Sequence, residues 1–422
     1  MKIFRTQRQH LKISAVALAV IAVGVVFAAS VPSLRASAAG AWTTETIAGM
    51  SVAVYTPTTA PALAGKRALM VNLHGCVQKN SDLQSAGNWA KTADAYGMVV
   101  AIPAVPDGGV IAGCWDYFDS NHSRTSLARD DDNLLGLAST LTGRAALGID
   151  PAQVYLSGLS SGGGETMVMG CLAPDIFAGM GINAGPTVGT TSGQIGTVST
   201  TQSAGTAQCK SFAGANTSAF ATQLTSVVYG SNDTTVAPGY NILNAQIMAG
   251  IYGAAATSTF ALTGFAGTNL AGGGTLYSDA TGPRVSIIQN TGLGHNWPAG
   301  AAPGGTYVSA NSIDYPAYVT GFFFANNRRV SPRSTPTPTG SPTPAPTPTV
   351  TSTPTPTPTS GPYCGTATNA AHKAAGRAIS YGNDPYNPYY AVGSQAYLGQ
   401  GDSTVSTLRE SSAGVYVVAT AC

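Results

Sequence analysis

The sequence predicts an α/β fold, a mainly parallel sheet with helices on both faces, followed by a small and mostly β module. Three observations carry that expectation. Between residues 40 and 330, apolar strand-like runs alternate with helix-compatible ones, the pattern that a parallel sheet with crossover helices requires. One strand-like run, Gln153–Ser157, leads through Gly158-Leu-Ser-Ser-Gly162 into the helix-compatible stretch Gly163–Leu172. A Pro/Thr-rich tract at 331–360 then separates this region from residues 361–422, whose composition differs.

The elements follow in chain order. Residues 1–39 carry Lys2, Arg5, Arg8, Lys12 and Arg35 and no acid, with a nearly unbroken apolar run at Ile13–Ala29 and small residues at Ala36-Ser37-Ala38. A basic start, a short apolar core and a small-residue site read as a cleaved secretory signal. The alternative is an uncleaved anchor, because the run approaches the length of a short membrane span. Cleavage removes five of 20 basic residues and leaves 15 against 18 acids, a formal charge of −3 with no basic run. Nucleic acid and anionic membrane surfaces are therefore not expected as partners.

Residues 40–330 are long enough for one sizeable core. Ala68–Leu73, Met98–Ile102, Val154–Leu156, Ser226–Tyr229 and Arg284–Ile288 are predicted as buried strands, and 81–96, 130–146 and 313–326 as helices. Residues 331–360 hold 10 Pro and 11 Thr, an alternation that builds no core and favours extended polyproline II. At about 3.1 Å per residue this spacer reaches roughly 90 Å, and its threonines are candidate O-glycosylation sites. Residues 361–422 hold seven tyrosines and no tryptophan. Ala396–Leu398 and Val415–Ala419 are predicted as strands there, and Asp384–Tyr390 offers tyrosines for an exposed apolar face. The six cysteines fit an oxidising compartment and show neither C-x-x-C nor a zinc-like His spacing. Fifteen pairings are possible; the domain layout suggests Cys76–Cys114, Cys171–Cys209 and Cys364–Cys422.

Strand, G-x-S-x-G and helix in that order make Ser160 a nucleophile candidate. Glycines tolerate the strained turn that presents the serine, and the helix N-terminus directs N–H groups at a developing oxyanion. A serine needs a base held by an acid, and in α/β-hydrolases these follow in the order Ser, acid, His. His74 and His122 precede Ser160, and His372 lies beyond the spacer, which leaves His295 as the base. Asp233, directly after the 226–229 strand, is the preferred acid. Asp279 and the Asp130–Asp132 cluster are its rivals, the cluster being better read as charge at a helix start. The oxyanion hole is expected from the Ser161 N–H and a donor on the Leu73–Cys76 strand exit. There His74 could donate or orient, or simply pack beneath the site. Trp115 and Trp297 are candidate walls of an acyl or alcohol pocket, with core packing as the alternative.

Taken together, Leu73-His-Gly-Cys-x-Gln78, Cys114-Trp115, Gly158–Gly162, Asp233 and Gly294-His-x-Trp-Pro298 resemble extracellular poly(3-hydroxybutyrate) depolymerases, esterases of the α/β-hydrolase fold. Ile313-Asp-Tyr-Pro, Phe322-Phe-Phe and Asn326–Arg329 fit as well. Residues 361–422 are similar to their short polymer-binding domain through Tyr363-Cys364, Asn369–His372, Gly376–Ala378 and the Cys422 ending. The resemblance implies Ser160 as nucleophile, Asp233 as acid, His295 as base, and His74, Cys76 and Ser161 around the oxyanion. It also implies a monomeric secreted enzyme with no cofactor or metal, whose partner is an insoluble polyester surface. In one departure, Asn383–Pro388 stands where a plainer Gly/Ser-rich turn is expected. A feruloyl or acetyl xylan esterase with a carbohydrate-binding module is the alternative, and an inert hydrolase domain on a surface-binding protein is a third reading.

Overall fold

The computed structural model describes residues 39–118, 121–127, 129–330, 363–380, 388–394, 396–412 and 414–422. The expected leader, the Pro/Thr spacer and most of Asp384–Tyr390 lie outside the described residues. Ten strands form one sheet: β1 (Ala41–Ile47), β2 (Met50–Thr56), β3 (Arg67–Leu73), β4 (Val99–Pro103), β5 (Ile149–Leu159), β6 (Gly179–Asn183), β7 (Leu224–Gly230), β8 (Ala256–Ala261), β9 (Gly272–Asp279) and β10 (Gly282–Asn290). Their order is β1-β2-β4-β3-β5-β6-β7-β10-β9-β8. The six central strands, β4 to β10 in that order, run parallel. Antiparallel strands flank them at both edges.

Seven helices cover the sheet: α1 (Asn80–Ala86), α2 (Trp89–Tyr96), α3 (Asp131–Thr142), α4 (Ser161–Leu172), α5 (Gln202–Ala213), α6 (Pro238–Tyr252) and α7 (Tyr315–Asn326). On one face α3 to α6 bury Leu134, Met167, Phe212 and Ile247 against Leu69, Val71 and Val227. On the other, α1, α2 and α7 bury Leu83, Trp89 and Phe323 against Ala68, Met70 and Val228. The central strands are buried on both faces, which is why they read as continuous apolar runs and not as alternating ones.

The five predicted strands and three helical stretches are present, the 81–96 stretch as two helices broken at Gly87-Asn88. The structure adds β1, β2, β6, β8, β9, α5 and α6, which the sequence did not announce. For β6 the cause is visible. Gly179 and Gly181 weaken its propensity, yet a Cβ at Gly179 would lie 2.8 Å from the Phe323 ring. Glycine there lets α7 approach the sheet.

Two short strands, β11 (Trp297–Pro298) and β12 (Val308–Ser309), pair beyond β10. The C-terminal residues form β13 (Cys364–Thr368), α8 (Asn369–Ala374), β14 (Ala378–Ser380), β15 (Pro388–Ala391), β16 (Tyr397–Gln400), β17 (Val405–Ser412) and β18 (Val415–Val418). These make two three-stranded antiparallel sheets around a small core of Ala378, Tyr389, Ala391, Leu398 and Leu408. His372 is buried there between the Ser406 carbonyl (2.9 Å) and Arg377 Nε (3.2 Å). Disulfides join Cys76 to Cys114, Cys171 to Cys209 and Cys364 to Cys422.

Candidate active site

Ser160 occupies the turn between β5 and α4 with φ 59° and ψ −119°, a backbone region that non-glycine residues rarely adopt. The turn is held from both sides. Ser160 N–H donates to the Asn183 carbonyl at the end of β6, and Gly164 N–H donates to the Ser160 carbonyl. The flanking glycines are required by close approach. A Cβ on Gly158 would lie 2.3 Å from the Gly162 carbonyl oxygen, and one on Gly162 2.5 Å from that of His74. The motif is therefore a steric solution that brings strand, helix and the β3 exit loop into contact around one hydroxyl.

His295 follows β10 and Asp233 follows β7, its parallel neighbour in the sheet. Register thus delivers both to the C-terminal rim, where Ser160 also stands. His295 Nδ1 donates to Asp233 Oδ2 at 2.8 Å. The other carboxylate oxygen accepts from the N–H groups of Thr235 (2.9 Å) and Val236 (3.0 Å), so the acid is fixed before the histidine meets it. The loop carrying His295 is seated by Asn232 N–H on the Leu293 carbonyl. Of the rival acids, Asp279 is committed elsewhere. Arg328 and Arg284 grip it at 2.6 and 2.9 Å and hold its carboxyl well below the usual range.

A chain of contacts links the base to the serine. The Tyr307 ring lies 6.0 Å from that of His295. Next to Tyr307, the Thr306 carbonyl accepts from the Gln78 side-chain amide, whose oxygen accepts from Gly75 N–H at 2.7 Å. Gly75 in turn borders Ser160: a Cβ there would sit 3.2 Å from the serine Cβ. Gln78 belongs to the quoted motif, but its bridging role appears only in three dimensions.

Ser160 opens on a cavity of about 150 Å³ lined by Cys76, Ile111, Tyr117, Ser161, Ile195 and Val236 among others. Cys76 and Ser161 thus border the serine from the β3 exit and the first turn of α4, where N–H groups have no intrahelical partner. A more open depression at Pro61, Lys66, Arg67 and Ala145–Gly148 lies at the opposite end of β3.

Three expectations need correction. The ring of His74 offers no N–H to the cavity: Nδ1 donates to the Gly75 carbonyl (2.8 Å) and Nε2 accepts from Val105 N–H (3.2 Å). Burial depresses its pKa, so the imidazole is neutral and orients the loop. Trp115 is fully buried behind the site, its indole N–H donating to the His74 carbonyl at 3.0 Å. Trp297 is also fully buried, its N–H on the Gly87 carbonyl and its ring between Trp89 and Tyr315. Neither indole reaches the cavity as a wall, because the β3 exit and α2 claim them for packing.

The nucleophile helix α4 itself carries a buried carboxyl. Glu165 is wholly buried, and neither of its carboxylate oxygens has a hydrogen-bond partner. Burial first, then the nearby Asp131, Asp130 and Asp116, push its pKa well up, so it is held as the neutral acid. Asp130 is raised by burial to about 6, and Asp131 accepts from His122 Nδ1 at 3.0 Å. Asp130 and Asp131 are thus buried at the start of α3, where Asp132 is exposed in the same first turn. Among the described residues no group of three or more His, Cys, Asp or Glu is placed to hold a metal ion.

A serine in a strained strand–helix turn, with a histidine and an acid from later strands of a mostly parallel sheet, defines the α/β-hydrolase fold. A solved acetyl xylan esterase from Aspergillus awamori shares it, with a TM-score of 0.50 and 21% identity, covering 61% of this chain and 94% of that one. Residues 50–257 match the family model described as Esterase PHB depolymerase. The chain is 42% identical over 303 residues to the poly(3-hydroxybutyrate) depolymerase of Ralstonia pickettii, across 68% of this chain and 60% of that protein. It is 27% identical over 274 residues to poly(3-hydroxyalkanoate) depolymerase C of Paucimonas lemoignei, across 60% and 63% of the two. Acetylxylan esterase A of Aspergillus ficuum is 29% identical over 141 residues, 33% of this chain and 44% of that protein. The chain therefore spans less than two thirds of the length of each of these three relatives.

Proposed function

We propose that this protein is a secreted serine esterase that hydrolyses poly(3-hydroxybutyrate) or a related polyhydroxyalkanoate to hydroxy acids and short oligomers. The observation that carries the chemistry is the Asp233–His295 hydrogen bond on the rim where Ser160 is presented. The 42% identity to a poly(3-hydroxybutyrate) depolymerase supports the substrate.

In this reading Asp233 keeps the proton of His295 on Nδ1, leaving Nε2 as the base. As Ser160 Oγ attacks the ester carbonyl carbon, its proton passes to Nε2 and the carbonyl oxygen becomes an oxyanion. The N–H groups of Ser161 and Cys76 receive that charge, the first aided by the positive end of α4. Collapse of the intermediate breaks the C–O bond, and the departing alkoxide takes the proton from His295. Water, deprotonated by the same histidine, then attacks the acyl-serine. It releases the hydroxy acid and restores Ser160.

The chain divides, on this proposal, into a leader at 1–39, a catalytic domain at 40–330, a Thr/Pro spacer at 331–360 and a polymer-binding module at 361–422. The module keeps the enzyme concentrated at an insoluble substrate, an effect of tethering. The acetylxylan esterase likeness keeps the plant-polymer reading as the competitor. The test is clearing of a poly(3-hydroxybutyrate) granule suspension beside release of acetate or ferulate from xylan, each with the parent and with Ser160→Ala. Clearing that vanishes in Ser160→Ala supports the proposal. Release from xylan without clearing moves the enzyme to the plant-polymer esterases.

A further inference from the structure

We propose that Gln78 is a positioning residue for ester hydrolysis: its side-chain amide aims the Cys76 N–H at the oxyanion and ties that loop to the one carrying His295. This role rests on the esterase reading above and falls to a side chain that does not itself touch the substrate. Gln78 is buried, and both ends of its amide are engaged. The oxygen accepts from Gly75 N–H at 2.7 Å, and the nitrogen donates to the Thr306 carbonyl, 228 residues away in sequence.

The loop is pinned peptide by peptide. The His74 carbonyl accepts from the Trp115 indole N–H at 3.0 Å, and the N–H of the same peptide, that of Gly75, is held by Gln78. The Gly75 carbonyl accepts from His74 Nδ1 (2.8 Å) and from the backbone N–H of Gln78 (3.3 Å). In a trans peptide the carbonyl and the next N–H point opposite ways. Holding the Gly75 carbonyl on these donors therefore turns the Cys76 N–H away from them, toward the cavity that Cys76 and Ser160 both line. The turn is under strain. Val77, between Cys76 and Gln78, has φ 59°, an outlier for a β-branched residue. Such strain persists only where the surroundings impose it. Here they are the Ala112 carbonyl on Val77 N–H and the bonds of Gln78 to Gly75.

The far end of the amide leads to the base. Thr306 precedes Tyr307, whose carbonyl accepts at 2.8 Å from the N–H of Trp297, two residues past His295. The Tyr307 ring also meets the His295 ring edge-on. One buried amide thus spans the loop that receives the oxyanion and the loop that receives the serine proton. An amide, or a neutral carboxylic acid, offers an acceptor to Gly75 and a donor to Thr306 from a single planar group. A carboxylate has acceptors only, so it would set a negative charge against the Thr306 carbonyl.

The test uses the full-length protein with a soluble ester, p-nitrophenyl butyrate, and the variants Gln78→Ala and Gln78→Glu. In Gln78→Ala, kcat should fall about 10²-fold, the scale of one lost oxyanion donor, while KM stays within about three-fold, because the misaimed N–H acts in the transition state. In Gln78→Glu, the ratio of its kcat to the parent's should be highest at the acid end. It should fall as pH rises above the ordinary glutamate value of 4.5, where ionisation removes the donor to Thr306. Rescue by protonation is a readout that packing alone would not move. A Gln78→Ala kcat within about three-fold of the parent overturns the proposal. So does a Gln78→Glu ratio that stays flat or rises with pH, and that ratio decides alone if Gln78→Ala does not fold. A parent that leaves the soluble ester intact, or turnover that survives Ser160→Ala, defeats the esterase reading itself, and the role of Gln78 with it.

Discussion

Asp233 and Glu165 are both buried carboxyls close to the candidate site, and their surroundings drive them to opposite uses. Asp233 has two backbone N–H groups and His295 to face, so a negative charge is met on each side. Replacing it by Asn keeps the shape but turns an acceptor into a group that favours the wrong histidine tautomer. We expect kcat on a soluble ester to fall about 10³–10⁴-fold, by the behaviour of such triads. An unchanged kcat would remove Asp233 as the acid. Glu165 has no partner and three acidic neighbours. Its folded pKa lies above its ordinary value of 4.5, so the native state binds the proton more tightly than the unfolded chain does. Stability from this group is therefore present at low pH and is lost as pH rises above that value. Glu165→Gln cannot ionise, and its melting temperature relative to the parent should climb as pH rises above the ordinary glutamate value of 4.5. A difference that stays flat with pH would show that Glu165 carries no such cost.

At the scale of elements, α4 must hold Ser160 against a strained turn, and it is restrained along its length. Cys171 near its end is bonded to Cys209 on α5, closing a separation of 38 residues. The chain-entropy relation gives about 4 kcal/mol for such a loop, commonly less when measured. Cys171→Ala/Cys209→Ala should lower unfolding free energy in denaturant by about 2–4 kcal/mol, with soluble-ester turnover at 20 °C or so retained. Loss of turnover in the still-folded variant would mean that the bond shapes the elbow as well as stabilising it. On the opposite face, Gly179→Ala places a Cβ 2.8 Å from Phe323. We expect a cost of about 1–3 kcal/mol from overpacking, read as a lower melting temperature.

For the whole molecule, the contrast in core size decides which part depends on its staple. The large sheet is covered on both faces, whereas among the described residues five buried apolar side chains make the C-terminal core. The Cys364–Cys422 bond closes 58 residues there, worth about 4 kcal/mol on the same relation and comparable to the whole stability of so small a core. Cys364→Ser/Cys422→Ser should therefore unfold this module alone. Adsorption of the full-length variant to polyester granules is expected to fall about ten-fold while soluble-ester turnover stays level. Equal loss of both activities would contradict separate roles for the two parts.

The amino-acid sequence by itself determined what near neighbours control. The central strands were legible because burial on both faces makes them continuous apolar runs. Glycines at 158 and 162 were legible because the elbow's sterics act within five residues. Chain order singled out His295, and a place directly after a predicted strand favoured Asp233 over Asp279. Only the tertiary structure decided what depends on distant partners. The strand at 179–183 exists because α7 packs onto its glycines, and the indole of Trp297 belongs to Trp89, more than 200 residues away in sequence. His74 has its second ring nitrogen taken by Val105, on another loop. A side chain's hydrogen-bond partners and its distance from solvent are set by which segments meet in the folded chain. Local pattern carries no record of that meeting.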